Sequence, residues 1–205
     1  MANYRVAVIG RTGRGNYGHG LDSVWKEFAN CEIVAVADED AGGRAKAEKR
    51  LGAKGYADYR EMLAKERPQI VSVSPRWIDC HRDMVVACAE HGCHVFVEKP
   101  LCATLAEADE MVAACDRAHV KTAISHQTRY SPRIQVVKEL IAAGKIGEVI
   151  ELRGRGKEDR RGGGEDLMVL GTHIMDLMRW FAGGRGLVFC QGLGRGASGR
   201  KERCA

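Results

Sequence analysis

Between residues 4 and 124, short apolar runs alternate with segments of helical character, and no other feature limits the fold so tightly. Tyr4-Arg5-Val6-Ala7-Val8-Ile9, Glu32–Ala37, Lys54–Tyr56, Gln69–Ser74, Val95-Phe96-Val97 and Val120–Ile124 read as strands. Helices are expected between them over 21–28, 41–51, 58–66, 79–91 and 104–118. Asp58 with Glu61 and Thr104 with Glu107 have capping-box spacing, and Gly92 is placed for a left-handed stop. Gly42 and Gly43 weaken the start of the 41–51 helix. Strands without a polar face are buried on both sides, so the pattern predicts a doubly wound α/β domain with a parallel sheet.

Two places in this frame carry chemistry. The first strand runs into Gly13-Arg14-Gly15-Asn16-Tyr17-Gly18, a G-x-G-x-x-G, and Asp38 ends the second strand 20 residues after Gly18. Such glycines let backbone N–H groups approach a pyrophosphate at a helix N-terminus, and such an aspartate accepts the adenosine ribose hydroxyls and repels a 2′-phosphate. The spacing therefore predicts a Rossmann-type site for NAD rather than NADP. Gly10-x-Thr12-x-x-Gly15 is a competing register, less favoured because its distance to Asp38 is unusual. Arg11 and Arg14 either reach phosphate or are solvated. Ser74-Pro75 ends the fourth strand beside the expected groove, near the nicotinamide ribose, and Trp77 lines a pocket or belongs to the core.

The second place is Glu98-Lys99-Pro100. Proline cannot donate to a ladder, so the strand stops there and leaves Lys99 at its carboxyl end, where open α/β sheets bind ligands. Desolvation there shifts an amine toward proton transfer, although a lysine after a strand is more often an ordinary surface charge.

The texture changes after residue 125. Ser131-Pro132 starts a helix and Gly144 stops it, and 149–155 alternates like a half-exposed antiparallel strand. A charged glycine-rich loop over 157–164 precedes a helix over 171–182, with a further strand at 187–190. His173 and Asp176 are three apart on one helix face, so Asp176 can orient the imidazole and His173 can act as general acid or base. Histidines 19, 81, 91, 94, 119 and 126 show no ligand spacing and read as structural. The division expected is 1–125 dinucleotide-binding, 126–191 an incomplete α+β domain, and 192–205 a disordered Gly/Arg tail. The second region is too short to bury a sizeable core alone.

Composition narrows the class. The chain has 205 residues, 45% apolar and 29% charged, with no apolar run of membrane-spanning length. Met1-Ala2-Asn3-Tyr4-Arg5 leads into a strand without signal-peptide features. Eight scattered cysteines form no C-x-x-C pair, which argues against a metal knuckle and for free thiols in the cytoplasm. Of the net charge of +5, the segment from Gly183 onward carries +4, five Lys/Arg against Glu202. The remainder is nearly neutral and offers no basic face for nucleic acid.

The glycine turn with Asp38, the Glu98-Lys99-Pro100 strand end, the Gly144-Lys145-Ile146-Gly147-Glu148 turn, and Gly162-Gly163-Gly164 leading to Gly171-x-His173-x-x-Asp176 occur together. In that combination, over about residues 4–183, the chain resembles the glucose-fructose oxidoreductase and inositol dehydrogenase (Gfo/Idh/MocA) family of NAD(P)-dependent enzymes. The resemblance implies a Rossmann domain followed by an α+β domain with a large open sheet. It implies hydride transfer between NAD and a sugar, cyclitol or related hydroxyl compound. Lys99 would sit by the nicotinamide and the reacting hydroxyl, with Glu98 and Pro100 shaping the turn and a cis bond at Lys99-Pro100. His173 would be the acid/base, with Asp176 beside it at the substrate. Two departures stand out. Val169 occupies a position where many members carry aspartate, and the family sheet continues well past residue 205, so this chain reads as C-terminally truncated or changed in frame. An NAD-binding module without turnover and an NAD-dependent glycoside hydrolase are the alternatives. Homo-oligomerisation stays open because the usual sheet interface is mostly missing. A nucleic-acid role for the tail is disfavoured by its shortness and lack of aromatics.

Overall fold

A computed structural model describes residues 3–154 and 171–183. By their contacts the residues fall into two compact units, dividing between Ser125 and His126. The first unit is a six-stranded sheet, β1 (Tyr4–Ile9), β2 (Cys31–Ala37), β3 (Lys54–Tyr56), β4 (Ile70–Val73), β5 (His94–Val97) and β6 (Thr122–Ile124). Every pairing is parallel and the order is β3-β2-β1-β4-β5-β6. The chain reverses its direction of travel across the sheet between β1 and β4, so a crevice opens beyond their carboxyl ends.

Helices α1 (Ala41–Leu51), α2 (Tyr59–Glu66), α3 (His81–Glu90) and α4 (Leu105–Arg117) form the crossovers. Val6, Val8, Val36, Val71, Val73 and Val97 are wholly buried, as the unbroken apolar runs require. Each contributes roughly 1.5–3 kcal/mol by leaving water. One core packs Met62, Leu63, Met84, Val85, Cys88 and Met111 from α2, α3 and α4 onto the sheet. A smaller one sets Ala47 and Leu51 of α1 on Val8 and Val36, with Tyr17 against it. Thr104 and Glu107 make both bonds of the capping box. At α2 the cap is one-sided, Asp58 accepting from Arg60 N at 2.8 Å. Gly92 has φ +70°. Among the described residues no helix is long and apolar enough to cross a membrane.

The helix expected over 21–28 is not there. A single 3-10 turn, Val24–Glu27, stands in a connection otherwise made of turns. Positive φ at Gly13, Gly15, Asn16, Gly18 and Gly20 keeps the preceding loop out of helical conformation. Trp25 then turns its indole N–H to Ser72 Oγ at 2.7 Å and its ring edge-on to Phe96 at 6.0 Å. Covering the sheet with these side chains replaces a regular helix face.

In the second unit, α5 (Pro132–Ala142) begins at the expected Pro and ends before Gly144, φ +69°, and α6 (Thr172–Phe181) matches the helix read over 171–182. The strand expected at 149–155 is not formed over 149–154, because no strand among the described residues of this unit lies alongside to complete a ladder. The 157–164 loop, the 187–190 strand and the 192–205 tail lie outside the described residues.

Gly15 and Gly18 are explained by packing. A Cβ on Gly15, φ +92°, would lie 2.3 Å from Arg76 N, and one on Gly18, φ +63°, would lie 2.8 Å from Ser74 O. Gly13, φ +80°, would meet nothing within 4 Å. Urea denaturation should therefore separate them. Gly13→Ala is expected to cost about 1 kcal/mol from its dihedral alone, and Gly15→Ala roughly 3 kcal/mol or more. Equal losses would contradict the packing account.

Candidate active site

The carboxyl ends of β1, β2, β4, β5 and β6 bring together Gly10, Asp38, Ser74, Glu98 and Ser125 with the residues that follow them. The bond Lys99-Pro100 is cis, as the resemblance implies. Glu98 is 1% exposed, and its carboxylate accepts from Ser125 Oγ at 3.2 Å and lies 3.2 Å from His19 Nδ1. Lys99 N donates back to Ser125 Oγ at 3.2 Å. The Lys99 side chain belongs to a residue 5% exposed. Burial lowers its pKa from the ordinary lysine value. Glu98 opposes the shift and the Arg76 guanidinium reinforces it.

Loop 10–20 is fastened to the strand ends it crosses. Arg76 N and Nε donate to Gly15 O at 3.4 and 3.3 Å beyond β4, and His19 reaches Glu98 beyond β5. Beyond β2, Asp38 is 2% exposed and receives Thr12 N at 3.1 Å, Thr12 Oγ1 and the Tyr17 hydroxyl at 2.7 Å each, and Asp40 N at 3.0 Å. Thr12 N also reaches Oδ1, at 3.2 Å, so Oδ1 takes two contacts and Oδ2 three, which fills the roughly four lone-pair sites of a carboxylate. Asp38 thus departs from the expectation that its oxygens face a ribose, because the loop's own donors reach them first. Arg44 donates to the Asp38 carbonyl at 2.8 Å.

Arg11 and Arg14 are not simply solvated. Both pair with Asp79, Arg11 at 3.7 Å, and Arg14 stacks over Trp77 at 4.9 Å. Trp77 is exposed rather than core. His81, wholly buried, sets one ring nitrogen 2.6 Å from Pro75 O and the other 3.0 Å from Pro100 O and Leu101 O, and so ties the turn after β4 to the cis turn after β5. His19, His81, Arg76, Tyr17 and Ser125 were not legible as site residues, since each acts through a partner 21 or more residues away or through backbone.

For a dinucleotide the edge offers exposed backbone at the tip of the glycine loop. Of Gly10, Gly13, Gly15 and Gly18, Gly13 alone turns the position of a Cβ to open space, leaving backbone accessible at the loop tip beside Arg11 and Arg14. However, the G-x-G-x-x-G leads into turns, so the helix N-terminus expected behind the phosphates is absent. A separate groove between α2, α3 and α4, about 730 Å³, is lined by charges already paired with one another, such as Arg82 with Asp83 and Glu110. It lies away from the strand ends.

In the second unit Asp176 does not orient His173. Both of its oxygens receive the Arg129 guanidinium, which also stacks on Trp180 at 5.0 Å. His173 instead meets His126 edge-to-face at 5.5 Å. Nothing in the sequence pairs Arg129 with Asp176, 47 residues on.

Comparison with known proteins places this geometry. The profile of the oxidoreductase family with an NAD-binding Rossmann fold matches residues 4–126. The D-apiose dehydrogenase of Paraburkholderia graminis is 33% identical over 174 residues, covering 78% of this chain and 45% of that protein. The 2,7-anhydro-N-acetylneuraminate hydratase of Mediterraneibacter gnavus is 32% identical over 151 residues, 73% of this chain and 38% of that protein. The crystal structure of myo-inositol 2-dehydrogenase from Lactobacillus plantarum superposes with a TM-score of 0.74 at 26% identity, covering 88% of this chain and 57% of that one. The chain thus spans less than half the length of these two curated relatives. With the Rossmann sheet order, the cis turn and the profile in agreement, the chain belongs to the Gfo/Idh/MocA oxidoreductase family with an NAD-binding Rossmann fold.

Proposed function

We propose that this chain carries the cofactor-binding part of an NAD-dependent oxidoreductase acting on a hydroxyl carbon of a sugar, cyclitol or related small molecule. The observation that carries the reading is Lys99, buried at the end of β5 on a cis turn, with its ammonium disfavoured by desolvation. An amine so placed takes a proton from a substrate hydroxyl and returns it in the reverse direction. Glu98, fixed by His19 and Ser125, holds the turn that aims it. Pro75, tied to the same turn through His81, would border the nicotinamide ribose together with Ser74. When bound, NAD supplies the hydride acceptor. Gly10, Thr12, Gly13, Gly15 and Gly18 form the loop beside its phosphates. The Asp38 charge disfavours a 2′-phosphate, which supports NAD over NADP. The resemblance gives residues 126–191 the substrate-binding role, with His173 as a second acid/base and Asp176, held by Arg129, as a substrate contact.

A second reading is favoured by the relative named as a hydratase. The same site would then support glycoside or anhydro-sugar cleavage, and release of nitrophenol from aryl glycosides would distinguish it from simple dehydrogenation.

Isothermal titration should give saturable NAD binding, at least tenfold tighter than NADP, a difference of about 1.4 kcal/mol. No saturation at millimolar NAD would overturn the reading, and equal NADP affinity would overturn the cofactor preference.

The lowered Lys99 pKa also sets a pH dependence. Below its folded-state value the buried ammonium opposes folding. Above the unfolded value, about 10.4, both states are neutral and the penalty is gone. In urea the stability of the parent relative to Lys99→Met should therefore rise as the pH climbs toward the unfolded value. A difference that is flat or falls with pH would contradict the assignment.

A further inference from the structure

Asp38 stands where an acidic residue reads a cofactor ribose, yet its four donors leave no lone pair for one. Three of those donors belong to backbone or to a residue whose backbone is itself bound there: Thr12 N, Thr12 Oγ1 and Asp40 N. The fourth, the Tyr17 hydroxyl, sits at the tip of a side chain that reaches in from the glycine loop. The ring of Tyr17 takes the space a side chain at residue 10 would need, since a Cβ on Gly10 would lie 2.1 Å from its Cε1. The Arg50 guanidinium covers the ring at 4.9 Å and is held there by Asp22 at 2.6 Å. A separate cleft beside Asp38, bounded by Ile9, Ala37, Tyr59 and Met84 and not by Tyr17, holds about 10 Å³, room for at most a single water.

We propose that Tyr17 is an internal occupant of the ribose subsite, and that its hydroxyl sets cofactor affinity by having to leave Asp38 before a ribose hydroxyl is accepted there. The inference rests on the reading of this edge as an NAD site and adds the residue that competes for it. The ring also leaves the Arg50 guanidinium and the small core of Ala47 and Leu51, a cost that the Tyr17→Phe variant shares. Thr12 and Asp40 still supply three of the four donors, so the carboxylate stays in place while one acceptor position changes hands. Gly10 is then uncovered, and with it the surface of the β1 turn against which a ribose would pack. Burial, and next the hydrogen bond to Asp38, hold the phenol's pKa well above the ordinary tyrosine range, so it is a protonated donor at every working pH. The contact breaks by displacement and not by ionisation.

Tyr17→Phe keeps the ring and removes the donor. Titrated with NAD, it should bind roughly fivefold more tightly than the parent, the fold-change matching one hydrogen bond no longer broken. In the parent with ¹³C-labelled tyrosine, the Tyr17 ring signals, identified by their absence in the Phe variant, should move to solvent-exposed positions as NAD saturates. Where the variant folds poorly, the same signals are identified in the parent by their through-space contact with the Arg50 side chain. Unchanged or weaker NAD binding by Tyr17→Phe, or ring signals that stay put at saturation, would overturn this inference and leave the NAD reading intact. Absence of NAD binding to both proteins would overturn the NAD reading and this inference with it.

Discussion

Glu98 is almost wholly removed from water, and a buried carboxylate is tolerated where donors surround it. Its donors come from two sides. Ser125 arrives from the end of β6 and His19 from the glycine loop. Drawing His19 down brings Gly18 over the carboxylate so closely that a Cβ there would lie 2.9 Å from Oε2. The loop's path, the β5 turn and the β6 end are therefore set by one charge. Lys99 follows Glu98 in the chain and inherits the same withdrawal from solvent, which lowers its pKa. The reactivity proposed for the amine is a consequence of where the acid beside it had to be placed.

The rest of the edge extends this logic. A loop without a helix behind it needs anchors, and it has one at each strand end it passes: Asp38, Arg76 and Glu98. His81 does from α3 what the missing helix does not, cross-tying the β4 and β5 turns with its two nitrogens. The chain thus has a Rossmann strand edge whose glycine loop is built from turns, in which the positive φ at Gly15 and Gly18 serves packing and that at Gly13 leaves backbone exposed.

How much of this was readable beforehand depended on range. Strand periodicity, the Thr104-Glu107 cap and the Gly92 stop are local signals, and the structure follows them. Leu21, Val24, Trp25 and Phe28 have helical spacing, yet Trp25 is recruited by Ser72, 47 residues on, and local propensity yields. The alternation over 149–154 is a sound strand signal that lacks a ladder partner among the described residues. Asp38 was legible as an acid at the end of β2. Its saturation was not, because Thr12 and Tyr17 lie 26 and 21 residues earlier. The Asp176–Arg129 pair escaped for the same reason, since helix spacing pointed to the neighbouring His173.

The account stands on a dinucleotide lying across the ends of β1 and β4 with its reactive ring against Lys99. A crystal structure of this chain grown with saturating NAD tests it most directly. The nicotinamide ring is predicted in contact with Lys99 Nζ and the Lys99-Pro100 turn. A ring bound away from that amine, or well-ordered crystals with no dinucleotide at the strand edge, would contradict it.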